Sequence, residues 1–225
     1  MKNDLQIYLS NHNSFFDKIL IKKRLEILNI LNFYFKDQIF EDALDIGTTN
    51  DLNKSSNFII KNLKNIKSYK CISNQRINSK LFSKILTKSI TVDLTEKEIA
   101  DFKSDLVISN ATIEHVGSLE NQIKMCENII KLSKKYFVIS TPNRLHPVEF
   151  HTKLPFIHWF NKNLHRKILK TLKLNFFSKE ENLNLLSQSD LVLIMKKINF
   201  DKYEIKKIKF LNFTSNLILI GSKST

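Results

Sequence analysis

Glycine, alanine and proline occur only three times each in a chain of 225 residues, and tryptophan once. So little glycine excludes a glycine-rich phosphate loop. The G-x-G-x-x-G dinucleotide fingerprint and the Gly-Lys-Ser/Thr cradle both need glycines that this chain does not supply. There are two cysteines, Cys71 and Cys126, with no C-x-x-C spacing. A disulfide scaffold is thereby excluded, and the pair reads as buried free thiols of a reducing compartment. No stretch approaches the ~18 apolar residues of a membrane helix. Runs such as Asp190-Leu-Val-Leu-Ile-Met195 and Asn216-Leu-Ile-Leu-Ile-Gly221 are of strand length. The opening Met1-Lys-Asn-Asp-Leu-Gln-Ile-Tyr8 holds no apolar signal region, so a cytoplasmic location without membrane insertion is expected.

Arginine is scarce as well, at four residues (Arg24, Arg76, Arg144 and Arg166) among 36 basic ones. The balance of 36 basic against 22 acidic residues gives a net charge of +14, which invites a nucleic-acid reading. A surface selected to grip phosphate favours the bidentate fork of arginine over lysine. Here 32 lysines accompany 24 asparagines and 29 isoleucines, residues with AT-rich codons, so the charge reads as compositional drift. Any glycine, proline, histidine or arginine that survives such drift carries more information than usual.

The remaining composition, 42% hydrophobic and 10% aromatic, is that of a globular chain, and its length fits one domain. Residues 13–36 read as an amphipathic helix with Leu20, Ile27, Leu28, Leu31 and Phe35 on one face and Lys22, Lys23 and Lys36 elsewhere. Short strands are expected at 43–46, 70–73, 90–93, 105–109 and 136–140. A helix capped by Ser118 carries Leu119, Ile123, Cys126 and Ile130 at helical spacing. Strands alternating with helices imply a parallel sheet covered on both faces. The tail departs from that rhythm, because strands at 203–210 and 216–221 lie close enough for an antiparallel hairpin. The segments 183–186 and 191–195 read as packing only.

Ala43-Leu-Asp-Ile-Gly-Thr-Thr-Asn50 is an apolar strand, an acid at its end and a glycine turn. Gly47 lets a ligand approach the backbone, and Asp45 can hold an ammonium or an ordered water. Asp105-Leu-Val-Ile-Ser-Asn-Ala-Thr-Ile-Glu-His115 delivers Glu114 and His115 just beyond a strand's carboxyl end. All three prolines, three of the six histidines and Trp159 fall within 142–159, an irregular segment starting where a parallel strand ends. Ligands of open α/β sheets bind at that edge. The competing readings are plain ones: turn residues at Asp45, Gly47 and Asp93, a helix-entry acid and a hydrogen-bonded histidine at 114 and 115, and a packing or dimer role for 141–159.

Asp45-x-Gly47, Asp93 and the apolar-Glu114-His115 element together resemble class I S-adenosylmethionine-dependent methyltransferases, in particular the broad small-molecule group. Ile139-Ser-Thr-Pro-Asn-Arg144, His146-Pro147, Glu149-Phe-His-Thr152, Leu154-Pro-Phe-Ile-His-Trp159 and Ser215-Asn-Leu-Ile-Leu-Ile220 look like a bacterial subgroup of that family. The resemblance spans roughly 41–222. It implies a three-layer, Rossmann-like α/β fold whose seven-stranded sheet ends in an antiparallel hairpin. Within a single domain, 1–40 would form a helical cover, 41–140 the cofactor half, 141–200 a substrate-side insertion and 201–225 the hairpin. S-adenosylmethionine would meet Asp45 and Gly47 at its methionyl and ribose parts, Asp93 at adenine and Asn110 near the transferred methyl. The acid that usually ends the second strand is absent from Ser73-Asn-Gln75, leaving Asn74 to accept a ribose hydroxyl.

The implied reaction is in-line methyl transfer to a small-molecule or sugar hydroxyl. Glu114, His115 and His151 are the catalytic candidates, and Asn143, Arg144, His146, Glu149 and Trp159 the candidates for acceptor binding. No metal is expected, since no H-x-x-x-H helix or cysteine partner accompanies these histidines and methyl transfer needs none. Two alternatives remain: methylation of RNA through the basic surface, or a non-catalytic binding module, favoured by the reduced first motif. If the charge is drift, RNA should bind at physiological salt only with the non-specific strength of ~10⁻⁴–10⁻⁶ M, falling steeply as salt rises. Filter binding across a salt series measures this, and tight sequence-selective binding would refute the drift account.

Overall fold

The computed structural model describes residues 15–50 and 57–223. Residues 13 and 14 of the expected first helix lie outside them. Helix α1 (Phe15–Tyr34) buries Ile27, Leu28 and Leu31, and Phe35 follows immediately beyond it. Phe35 meets Phe40 and Tyr136 edge-on, with ring centroids 5.3 and 5.2 Å apart, which seats the helix on the sheet. Lys23, expected on the polar face, is instead buried: its Nζ pairs with Glu26 at 2.8 Å and donates to the Lys209 carbonyl at 2.7 Å. The chain continues through β1 (Phe40–Ile46), α2 (Phe58–Asn62), β2 (Ile66–Ser73), β3 (Lys84–Thr87), α3 (Glu96–Phe102) and β4 (Ser104–Asn110). A 3-10 turn (Ile113–His115), α4 (Leu119–Leu132) and β5 (Ser133–Pro142) follow. The remainder comprises a second 3-10 turn (Ile157–Trp159), α5 (Lys162–Thr171), α6 (Gln188–Ile198), β6 (Tyr203–Phe210) and β7 (Phe213–Ser222).

The seven strands form one sheet in the order β3-β2-β1-β4-β5-β7-β6. The first five are parallel, and β7 runs antiparallel to both its neighbours. Alternation along each strand divides the core in two. Leu44, Ile46, Val107, Phe137, Ile139, Leu217 and Leu219 face one layer with α4 and α6. Ala43, Cys71, Leu106, Ile108, Val138, Ile218 and Ile220 face the other with α1 and α2. Both cysteines are buried and free. No described helix is long and apolar enough to cross a membrane. The chain runs outward from β1 to β3 and returns to β4 on the other side of β1, so the strand order reverses between β1 and β4. Such a switch point opens a crevice at the carboxyl edge.

Two elements differ from the sequence expectation. The third strand is Lys84–Thr87, an edge strand, whereas 90–93 forms a turn whose Ile90 and Val92 carbonyls accept from the Asn128 side-chain amide at 2.7 and 2.9 Å. The apolar run 191–195 lies in α6, whose first turn is closed by a capping box between Ser187 and Asp190.

A glycine-poor chain must find other residues for left-handed backbone. Among the described residues nine non-glycine positions have positive φ, and four of them are asparagines: Asn57, Asn65, Asn199 and Asn212. Asparagine tolerates that region best after glycine. Leu211 does not, yet it sits at φ 49° beside Asn212 at φ 67° in the two-residue loop joining β6 and β7. Positive φ at both loop residues marks a type I′ turn, which favours Asn-Gly. Leu211 is 74% exposed and contributes little packing. Leu211→Asn should therefore stabilise the protein by about 1 kcal/mol, or roughly 2–4 °C in a thermal melt. An unchanged or lowered Tm would contradict this account of the turn.

Candidate active site

Asp45 is the sixth residue of β1 and is 7% exposed. Its Oδ2 accepts from the Thr48 hydroxyl at 2.5 Å. Burial pushes its carboxyl up to about 6, against the lowering effects of Thr48 and Lys61. Gly47 follows at φ 91°, and its N–H donates to the Ile72 carbonyl of β2 at 3.0 Å. The open side of Gly47 is occupied: a Cβ there would lie 2.2 Å from Thr112 Oγ1. The glycine is thus required by the chain leaving β4, as well as by its own φ. Ser73, the last residue of β2, donates its hydroxyl to the Thr48 carbonyl at 2.7 Å. The following Asn74 is exposed at the same edge.

Asn110 ends β4, and its Oδ1 accepts from the Ser140 hydroxyl of β5 at 2.5 Å. Asp93, in the turn after β3, is exposed and paired with Lys124 of α4. That pairing holds its carboxyl below the usual range.

Beyond β4 the 3-10 turn carries Glu114 and His115. Glu114 has no exposure. Its Oε2 accepts from the Thr141 hydroxyl at 2.9 Å, while its Oε1 has no hydrogen-bond partner. Burial raises its pKa above the ordinary carboxylate value. His115 Nδ1 donates to the Asn182 carbonyl at 2.7 Å, and its Nε2 stands 3.9 Å from Glu114 Oε1. Burial pushes His115 down to about 3, so its imidazole is neutral.

The ring of His151 meets that of His115 edge-on, with centroids 4.8 Å apart. His151 Nδ1 donates to Glu149 Oε1 at 2.6 Å. Glu149 is 3% exposed. It also accepts from the His151 N–H at 2.8 Å and from the Thr152 N–H and hydroxyl at 2.6 and 2.7 Å. Burial opposes charge on both groups, yet their mutual attraction prevails, holding Glu149 low and raising His151 above the usual imidazole range.

The other acceptor-side candidates are spent on the segment itself. Arg144 Nε donates to the His158 carbonyl at 3.1 Å, and its Nη2 donates to the Phe160 carbonyl at 2.7 Å. Asn143 Nδ2 donates to the Thr214 carbonyl at 2.9 Å. His146 is buried, with Nδ1 against the Val148 carbonyl at 2.9 Å and its ring stacked on Phe150. Trp159 is 45% exposed, and its Nε1 donates to the His146 carbonyl at 3.3 Å. Glu149 is buried beneath His151 and touches that histidine and Thr152.

A line of contacts therefore runs from Asp45 and Gly47 through Thr112, Asn110, Ser140 and Thr141 to Glu114, His115 and His151. Thr48, Thr112, Thr141 and Asn182 belong to it and were not singled out by the sequence. Three are threonines with ordinary neighbours, and Asn182 contributes only a carbonyl, for which a sequence has no signal.

No protein-family model matches this sequence, and no curated protein does either. Solved structures do match its fold. The N-methyltransferase NodS of Bradyrhizobium japonicum WM9, in complex with S-adenosylhomocysteine, aligns with a TM-score of 0.54 at 8% identity, covering 95% of this chain and 90% of that one. Magnesium protoporphyrin IX methyltransferase of Synechocystis PCC 6803, also with S-adenosylhomocysteine, gives 0.55 at 13% identity over 98% and 92%. The 1,6-didemethyltoxoflavin-N1-methyltransferase of Burkholderia thailandensis, with 1,6-didemethyltoxoflavin and S-adenosylhomocysteine bound, gives 0.58 at 9% identity over 98% and 85%. The chain has the class I methyltransferase fold.

The elevated pKa of Asp45 has a measurable consequence. Its folded value of about 6 exceeds the reference of 3.8, so the fold prefers the protonated acid. That contribution is intact below pH ~3.8 and is lost as pH rises through about 6, reaching about 3 kcal/mol by pH 8. Asp45→Asn, uncharged and isosteric, should melt above the wild type at pH 8, with the gap closing towards pH 4. A gap independent of pH would show that Asp45 is not held protonated.

Proposed function

We propose that this protein transfers the methyl group of S-adenosylmethionine to the hydroxyl of a small molecule or sugar. The observation that carries the reading is the continuous line of contacts along the carboxyl edge. It joins a donor-poor buried acid at the β1–β4 switch point to a histidine–carboxylate cluster beyond β4. The fold agrees, and structural neighbours were crystallised with S-adenosylhomocysteine in place. The cofactor would lie against Asp45, Gly47, Asn74 and Asn110, with adenine towards Asp93. Its ammonium and hydroxyl groups would add donors to the one that Thr48 supplies to Asp45.

Transfer is an in-line displacement in which the acceptor oxygen forms a bond to the methyl carbon as the bond from sulfur breaks. The sulfonium becomes a neutral thioether, so charge is dispersed and alignment in a water-poor pocket supplies much of the rate. The acceptor must lose a proton. His151 would take it, a role supported by the Glu149 contact at Nδ1, which leaves Nε2 as the accepting atom of the neutral ring. Glu149 then stabilises the imidazolium as a positioning residue. His115, held neutral, orients the acceptor together with Glu114.

Calorimetric titration with S-adenosylhomocysteine near pH 6 should give one site per chain. It should also release protons as Asp45 ionises against the ligand, seen as a dependence of the heat on buffer. Absent binding would favour the non-catalytic module. Once an acceptor is identified, His151→Ala should lower kcat at least ~10²-fold with cofactor affinity unchanged. Glu149→Gln should move the ascending limb of the pH–rate profile to lower pH, because the carboxylate that raises His151 is gone. A limb that stays in place would remove His151 from the role of base.

A further inference from the structure

We propose that Glu114, His115 and His151 form the binding site of one divalent transition-metal ion of the zinc, manganese or iron class. One donor atom from each of the three lies within 4.8 Å of the others. Glu114 Oε1 is buried without a hydrogen-bond partner and faces this gap, with His115 Nε2 3.9 Å away. A carboxylate oxygen in that position is costly unless something positive meets it.

The second atom of each residue is held from behind. Thr141 fixes Glu114 Oε2 at 2.9 Å, the Asn182 carbonyl fixes His115 Nδ1 at 2.7 Å, and Glu149 fixes His151 Nδ1 at 2.6 Å. A ligating histidine characteristically donates its other N–H to a carboxylate or a carbonyl, which fixes the tautomer and aims the remaining nitrogen. Both histidines of this cluster do so, one in each way.

Two imidazoles with one carboxylate suit zinc, manganese or iron better than magnesium or calcium, which prefer all-oxygen shells. Metal–donor distances of ~2.0–2.2 Å put neighbouring donors about 3.4 Å apart, so the three groups would close by roughly 1 Å on loading. The side chains of His115 and His151 are 20% and 16% exposed, so solvent reaches the edge of the group.

The competing occupant is a proton shared between His151 and Glu114, which would meet one oxygen where an ion meets three donors. In the methyl-transfer reading the ion would hold the acceptor oxygen and lower its pKa, with His151 then a ligand in place of a base. That use rests on the reading above, whereas the binding does not.

The test is equilibrium dialysis of the chelator-stripped full chain against Zn²⁺, Mn²⁺ and Mg²⁺, with bound metal counted by mass spectrometry and Co²⁺ absorption reporting ligand type. The expected result is one Zn²⁺ or Mn²⁺ per chain, no retained Mg²⁺, and imidazole-type Co²⁺ bands. Affinity should fall at least ~10²-fold in His151→Ala and Glu114→Gln, and ~10–100-fold in Glu149→Gln, which loses only the supporting carboxylate. Cys71→Ala should bind as the wild type does. Should Glu114→Gln fail to fold, His115→Ala replaces it. Failure of the wild type to retain any of the ions, or affinity unchanged in folded His151→Ala, overturns the proposal. Methyl transfer that proceeds in chelator without a bound ion would leave the reaction standing while the dialysis alone decides the site.

Discussion

A carboxyl group with no exposure to solvent sits one short turn beyond β4, and the segments that pack beyond β4 and β5 are organised around it. Leaving such a group unpaired costs several kcal/mol, so its surroundings cannot be arbitrary. Thr141 answers one oxygen. The backbone around Glu114 does more. Its carbonyl accepts from Asn184 N at 2.7 Å, and Gln122 bridges the Ile113 and Asn184 carbonyls at 3.2 and 2.8 Å. Asn184 Nδ2 reaches the Gly117 carbonyl at 2.7 Å. A segment nearly 70 residues downstream is thereby fixed against the turn. The same segment then holds the chain leaving β5, through Arg144 N on the Leu186 carbonyl at 2.8 Å and the Asn143–Leu186 bridge. Residues 183–186 read as packing in the sequence, yet they are the strut that connects Glu114 to the chain leaving β5.

What the sequence could and could not reveal follows from where the information lies. Strands launched by a charge into an apolar run, such as β4 and β5, are legible because both faces of a parallel sheet are buried. The edge strand β3 is not, since Lys84-Ile-Leu-Thr87 is mostly exposed and needs no such run. The segment 90–93 alternates as a strand would, but its carbonyls are taken by Asn128, a long-range side-chain contact without local signature. Helix α6 was legible in principle: Ser187-Gln-Ser-Asp190 is a capping box directly before the apolar run. Asp45, Gly47, Asn110, Glu114 and His115 were visible because each sits at a fixed offset from a strand end. Their wiring was not, because threonine hydroxyls and backbone carbonyls supply it.

The reduced first motif illustrates how the chain manages with little glycine. A glycine-rich turn shapes itself by backbone freedom, whereas this turn is shaped by side chains. Thr48 donates to Asp45, Ser73 donates to the Thr48 carbonyl, and Asn57 meets both Thr49 N at 3.0 Å and the Thr49 carbonyl at 2.8 Å. Gly47 remains because the approach of Thr112 leaves no space for a Cβ. Four of the nine non-glycine left-handed positions among the described residues are asparagine, which the same composition supplies in abundance. Local hydrogen bonds replace conformational freedom, so the absence of further glycines does not by itself remove a binding turn.

Five acids are buried among the described residues, and they divide between the two edges of the sheet. Asp42 and Asp105 lie near the amino ends of β1 and β4. Asp42 meets Lys70 at 2.7 Å and Lys134 at 3.5 Å, and accepts from the Asp105 N–H at 2.9 Å. Asp105 meets Lys135 at 2.8 Å and the Glu41 N–H at 3.2 Å. Glu149, at the other edge, is answered by a histidine and three further donors. Asp45 and Glu114 share that carboxyl edge but have one hydroxyl donor each, and burial raises both. Lysines are abundant in this chain, and the amino edge shows that the fold can recruit them to a buried carboxylate. At Asp45 and Glu114 the nearby charges of Lys61 and His151 do not offset burial. Burial of Asp45 and Glu114 therefore costs the fold stability at the carboxyl edge, whereas the lysine-paired acids of the amino edge do not.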